Sequence, residues 1–216
     1  VRAVLNETGS SGIDLSSTGS TIKLVGQKGE VPGVQTSDSK TTLIFTLTKP
    51  LAIDGSDDGV YTISVTPANS AKLKGQKQDF TFNYDTVSPK ISVNDVDLWY
   101  GGSAGSSLIE ISAIVRDDSP SSGFDWDVVD NTWMSLRDSG GKEVKGKVYT
   151  AQSESKVRFI LDTPLASNGR DDGYYTVTVT PKDKAGNTPD PVVRYEFFYD
   201  TKPPILSKAD ITINDK

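Results

Sequence analysis

The 216-residue chain has no cysteine and no histidine. Without cysteine there is no disulfide, no thiolate zinc site and no sulfur nucleophile. Without histidine there is no Ser–His–Asp triad, no imidazole-bound zinc and no ordinary neutral-pH general base. Any chemistry is left to carboxylates, lysine and tyrosine. Positive charge is in short supply, with 23 Lys and Arg against 29 Asp and Glu and a net charge of −6. Such a surface repels a phosphate backbone, so a nucleic-acid partner is not expected. There is also no long apolar run of membrane-spanning length, and membrane insertion is not expected. The chain opens at Val1 without a charged-then-apolar stretch and reads as a mature or excised piece.

What is present repeats. Residues 50–67 (PLAIDGSDDGVYTISVTP) and 164–181 (PLASNGRDDGYYTVTVTP) are identical at 12 of 18 positions. Further pairs follow in order: 80–89 with 195–204, 43–47 with 157–161, and 1–5 with 111–115. A duplication covering nearly the whole chain predicts two tandem domains. Within each copy apolar and polar residues alternate at the period of a strand. Tyr61, Ile63 and Val65 alternate with threonine and serine, as do Tyr175, Val177 and Val179 with threonine. Phe80, Phe82 and Tyr84 behave likewise, and so do Ile109, Ile111, Ala113 and Val115. No window has a helical period, and Gly, Pro and Asp–Ser clusters fall between the strands. Several short strands per copy predict an all-β sandwich or barrel.

The spacing Asp57-Asp58-Gly59-Val60-Tyr61, repeated as Asp171-Asp172-Gly173-Tyr174-Tyr175, resembles the tyrosine corner of immunoglobulin folds. Ile63 and Val177 stand where the second cysteine of those folds would be. The string from Gly173 to Asn187, closing with Tyr199-Asp200-Thr201-Lys202-Pro203-Pro204, is similar to bacterial immunoglobulin-like repeats of secreted and cell-surface proteins. Asp117 to Gly123 is similar to their B–C loop. Copy one departs between Ala68 and Asp79, which lacks the Asp-x-Ala-Gly-Asn turn of Asp183 to Asn187. The resemblance implies two tandem Greek-key sandwiches and an extracellular or cell-surface, non-catalytic structural or adhesion role, as a rigid stalk or assembly unit. The expected domains are residues 1–87, lacking strand A, and residues 88–202, with residues 203–216 supplying strand A of a further repeat. Residues 203–216 match residues 88–101, and the expectation is that 205–215 fill the open strand-A edge of copy one in another molecule, giving head-to-tail association.

Acidic loops are the richest chemical feature. In the implied fold, Asp57, Asp58 and Asp85 of copy one approach Asp117, Asp118 and Asp183 of copy two. Hard oxygen ligands gathered in this way suit an inter-domain Ca²⁺. The plainer reading is that aspartates in turns bond nearby backbone. Trp99, Tyr100 and Trp126 occur only in copy two and are candidates for stacking a carbohydrate, which would make the chain an accessory module of a surface enzyme. Packing is the competing role, and Trp133, just before the strand Met134–Leu136, reads as a core residue. Asp125 and Asp127 share one strand face but have no sequence mark of a cleft, and no cofactor motif is found.

Overall fold

The structure is a computed structural model of the full chain, and it describes residues 1–6, 9–100, 106–124, 126 and 132–205. Two compact units are present. The first comprises Val1–Val87 together with Asp117–Gly123 and Asp183–Asn187; the second comprises Ser88–Arg116, Phe124–Lys182 and Thr188–Lys216. Among the described residues no helix is long and apolar enough to cross a membrane.

The described residues of the first unit form seven strands: β1 (Arg2–Val4), β2 (Thr21–Gly26), β3 (Gly29–Glu30), β4 (Gly33–Ser37), β5 (Thr42–Leu47), β6 (Gly59–Thr66) and β7 (Gln78–Tyr84). They form two antiparallel sheets, β1-β5-β4 and β3-β2-β6-β7. The described residues of the second unit form eight: β8 (Val96–Tyr100), β9 (Leu108–Ile114), β10 (Met134–Asp138), β11 (Glu143–Val144), β12 (Gly146–Ala151), β13 (Lys156–Leu161), β14 (Gly173–Val179) and β15 (Val193–Tyr199). Its sheets are β12-β13-β9-β8 and β11-β10-β14-β15. Read as letters, the second unit is D-E-B-A facing C′-C-F-G, the immunoglobulin arrangement with an added C′ strand. The first is D-E-B facing C′-C-F-G. Both are immunoglobulin-like sandwiches.

The pairing register confirms the duplication residue by residue. Ala3 faces Leu43 as Ala113 faces Val157, and Leu24 faces Ile63 as Leu136 faces Val177. Alternation sets the burial. In β2, Ile22 and Leu24 are 3% and 2% exposed while Lys23 and Val25 between and after them face solvent. In β13, Val157, Phe159 and Leu161 point inward and are at most 5% exposed. A side chain of this kind stabilises by roughly 1.5–3 kcal/mol when fully buried. Gln27 and Lys28 turn β2 back on β3, with Gly26 paired to Gly29, so the glycine-rich stretch there is a tight hairpin. Trp133 is 2% exposed in the second core, as its place before the C strand suggests, with its indole N–H unpartnered.

The sheets differ at one edge. In the second unit β8 pairs antiparallel with β9, setting Val96 opposite Ala113 and Leu98 opposite Ile111. In the first unit β1 pairs with β5 alone. Its outer edge carries no strand among the described residues. The sequence-expected strand A of a further repeat falls mostly on residues 206–216, which lie outside the described residues.

Candidate functional site

The turn between β5 and β6, and its counterpart between β13 and β14, is a clamp built twice. Tyr61 Oη donates to the Asp57 carbonyl and Tyr175 Oη to the Asp171 carbonyl, each at 2.7 Å. These are the tyrosine corners that the spacing suggested. The Asp57 carboxylate accepts the Ala52 N–H at 2.8 Å, and Asp171 accepts the Ala166 N–H at 2.7 Å. Asp58 accepts both the N–H and the hydroxyl of Thr86, each at 2.9 Å. Asp172 does the same for Thr201, at 3.1 and 2.7 Å. The threonine hydroxyls in turn accept the N–H of Gly55 and of Gly169. Those glycines have φ of +85° and +83°, a left-handed turn position that glycine takes without strain.

Asp57 and Asp58 therefore work locally, holding the turn against the strand exit. The Ala52 N–H and then the Lys28 ammonium, at 2.9 Å, hold the Asp57 carboxyl below its ordinary value. Arg170 and then the Ala166 N–H do so for Asp171. Thr86 and Thr201 were not singled out in the sequence, although Tyr-Asp-Thr recurs at 84–86 and 199–201.

The structure gathers three of the other candidates. Asp85, Asp117 and Asp183 each offer an oxygen, and these oxygens lie within 4.8 Å of one another. All three residues belong to the first compact unit. Asp85 accepts the Val87 N–H at 3.2 Å and the Ser122 N–H at 2.5 Å. Asp183 accepts the Asn187 N–H and side-chain amide, both at 2.8 Å. The same Asn187 amide donates to the Asp85 carbonyl at 3.0 Å, so one asparagine braces two of the acids. Its importance was not read from the sequence; its signal was the Asp-x-Ala-Gly-Asn turn. Burial first, then the charges of Asp85 and Asp183, push the Asp117 carboxyl above its ordinary value. Asp118 is exposed and is not one of the three.

The aromatic candidates take separate roles. Trp99 is 57% exposed on β8. Trp126 is partly buried, its ring tilted 48° against that of Phe124 with centroids 4.5 Å apart, and its carbonyl accepts the Thr150 hydroxyl at 3.0 Å. Tyr100 ends β8. Asp125 and Asp127 lie outside the described residues.

A further contrast lies on the inner faces of β7 and β15. Phe82 sits opposite Tyr61 and Phe197 opposite Tyr175, with ring centroids 5.6 Å apart in both units. Yet Phe197 is 7% exposed and Phe82 is 37% exposed. Two residues earlier on the same faces, Phe80 is 57% exposed, whereas its counterpart Tyr195 is partly buried against the core. Tyr199, the counterpart of Tyr84, is 1% exposed and bonds the carbonyls of Ser106 and Leu165 at 3.1 Å.

No protein-family model matches the sequence, and no curated protein matches it. Among solved structures, the fold is similar to a tetra-tandem repeat in the extending region of a large adhesion protein, at 14% identity and a TM-score of 0.37. That alignment covers 93% of this chain and 45% of the other, so the chain spans less than half of that protein's crystallised length. The full ectodomain (Ig1–Ig3) of mouse nectin-like molecule 4 is also similar, at 14% identity and a TM-score of 0.36, with 95% of this chain and 66% of that one covered. Strand order and register define the fold.

Proposed function

We propose that the chain is a non-catalytic structural module of an extracellular or cell-surface protein, serving adhesion or extension, and that its first sandwich is completed by a strand from another copy. The observation that supports this is the uncovered inner face of β7 beside the open edge of β1. Where the second unit has β8, and the turn Val93–Asp95 approaching β15, Phe197 and Tyr199 are buried. Where the first unit has no such strand among the described residues, Phe80 and Phe82 face solvent. Exposed apolar surface beside unpaired edge amides is a template for strand addition.

Residues 203–216 (PPILSKADITINDK) carry the matching pattern. Aligned on residues 88–101, they put Asp210 at the position of Asp95, Ile211 at Val96 and Ile213 at Leu98. Supplied by a second copy, Ile211 and Ile213 would meet Ala3 and Val1 as Val96 and Leu98 meet Ala113 and Ile111. The contact is heterologous, so copies join head to tail. Light scattering across a concentration series tests it. The molar mass should grow with concentration for the wild type and stay that of a monomer for the variant Ile211→Asp with Ile213→Asp. A wild-type chain that stays monomeric throughout the series would refute the strand-exchange reading.

A further inference from the structure

Core packing does not account for the outer face of the β11-β10-β14-β15 sheet. Tyr174 on β14 and Phe198 on β15 lie opposite each other and are 65% and 52% exposed. Their ring centroids are 4.8 Å apart, with the planes at 61°. At the same register the first unit sets Val60 opposite Asn83, so a sandwich of this kind forms without the aromatic pair. Tyr174 borders a depression of about 450 Å³. Small-molecule sites run from about 300 to 1,000 Å³. Thr176, Thr178, Arg194 and Glu196 also line it, with Arg137 from β10. Among the described residues, the side chains of Thr176, Thr178, Arg194 and Glu196 have no hydrogen-bond or ion-pair partner in the protein. Arg137 spends one N–H on the Gly141 carbonyl, at 2.9 Å.

We propose that this face binds a neutral oligosaccharide. A docked protein favours a contact surface whose centre is apolar and poor in charge. Here the apolar surface is confined to two rings at one end, and hydroxyls and charges of both signs occupy the rest. The ligand that matches has an apolar face beside many neutral hydroxyls, which describes a pyranose ring. Its C–H face lies against Tyr174, a broad, stiff side chain that loses little entropy when it is held. Phe198 packs edge to face with Tyr174 and sets the tilt of that ring before a ligand arrives. The threonine hydroxyls donate and accept, Arg194 donates and Glu196 accepts, so each sugar hydroxyl finds a partner of either kind. Arg137 and Arg194 are balanced by Asp138 and Glu196 in the lining, which leaves no net charge to select an ionic ligand. The site lies wholly in the second unit, on the sheet opposite the one that carries Trp99. It is independent of strand completion, which concerns the first unit.

Calorimetric titration of the whole chain tests the proposal. The probes are α- and β-linked neutral hexasaccharides of glucose, mannose, galactose, xylose and N-acetylglucosamine, with a galacturonic acid hexasaccharide as the charged comparison. At least one neutral sugar should bind saturably, at one site per chain. Tyr174→Val with Phe198→Asn installs the residues that the first unit carries at these positions, and should lower that affinity about tenfold or more with the unfolding midpoints unchanged. Tyr174→Val alone should account for most of the loss. Trp99→Ala, and separately Ile211→Asp with Ile213→Asp, should bind as the wild type does, so failure here is distinct from failure of strand completion. No saturable binding to any neutral sugar would overturn the proposal, and so would undiminished binding by the Tyr174→Val, Phe198→Asn variant. Binding lost in Trp99→Ala would place the site on β8 instead. Tighter binding of the galacturonic acid probe would overturn the choice of a neutral ligand. Self-association that persists in Ile211→Asp, Ile213→Asp and disappears on replacing Tyr174 and Phe198 would make the occupant a second copy and not a sugar.

Discussion

Among the described residues, the second sandwich gathers 19 buried apolar residues into its core and the first gathers seven, although the two share strand order and turn clamps. The difference is not in the C, F and G strands, whose cross-strand pairs share one register in the two units. It lies in the opposite sheet, where β8 closes one unit and nothing among the described residues closes the other. A sandwich with three strands on one side cannot cover four on the other, so Phe80 and Phe82 stay wet. The comparison separates two tasks. The clamped turns and cross-strand pairs set the topology and survive without the fourth strand. The depth of the core depends on that strand.

The largest effect expected from this comparison concerns Leu24 and Leu136, which occupy the same position in the two units and are 2% and 0% exposed. Truncating a buried leucine to alanine costs about 2–5 kcal/mol. Leu136→Ala should lower the second unit's unfolding transition but leave it cooperative. Leu24→Ala takes the same side chain from a core less than half as large and should abolish the first unit's transition at room temperature. Calorimetry of both variants decides. Equal midpoint losses in the two units would break the claim that the first core is the weaker.

A smaller effect sharpens the opposite half of the comparison. Tyr61→Phe and Tyr175→Phe each remove one hydroxyl that donates at 2.7 Å to a carbonyl four residues earlier. Each loss should cost about 0.5–1.5 kcal/mol in denaturant unfolding. The two costs should agree, because the clamps are alike even though the cores are not. A cost in one unit alone would mean that the corner is not an independent element.

The sequence made much of this legible, because the repeat fixes positions that composition cannot. Aligning Val1 with Ile111 places β1 in the B position, and the pairing of Ala3 with Leu43 bears that out. The Asp-x-Gly-x-Tyr spacing revealed both corners, since the tyrosine reaches a carbonyl only four residues back. Long-range partnership was less visible. Asp57 and Asp58 looked like ligands beside Asp85 but are bound by Ala52, Lys28 and Thr86. Asp117 and Asp183 belong to loops whose ends meet only after the strands have paired, and no local pattern says which of two adjacent aspartates will turn inward. Asp117 does so and Asp118 stays exposed. The role of Asn187 depends on the same tertiary approach.

The most direct test of strand completion is amide exchange at β1. The bonds from Leu5 N–H to Thr41 O and from Phe45 N–H to Val1 O turn the N–H groups of Arg2 and Val4 toward the open edge. If a second copy lays a strand there, those two amides should become protected as protein concentration rises, and the protection should vanish in the Ile211→Asp, Ile213→Asp variant. Arg2 and Val4 exchanging at unprotected rates at every concentration would contradict the account.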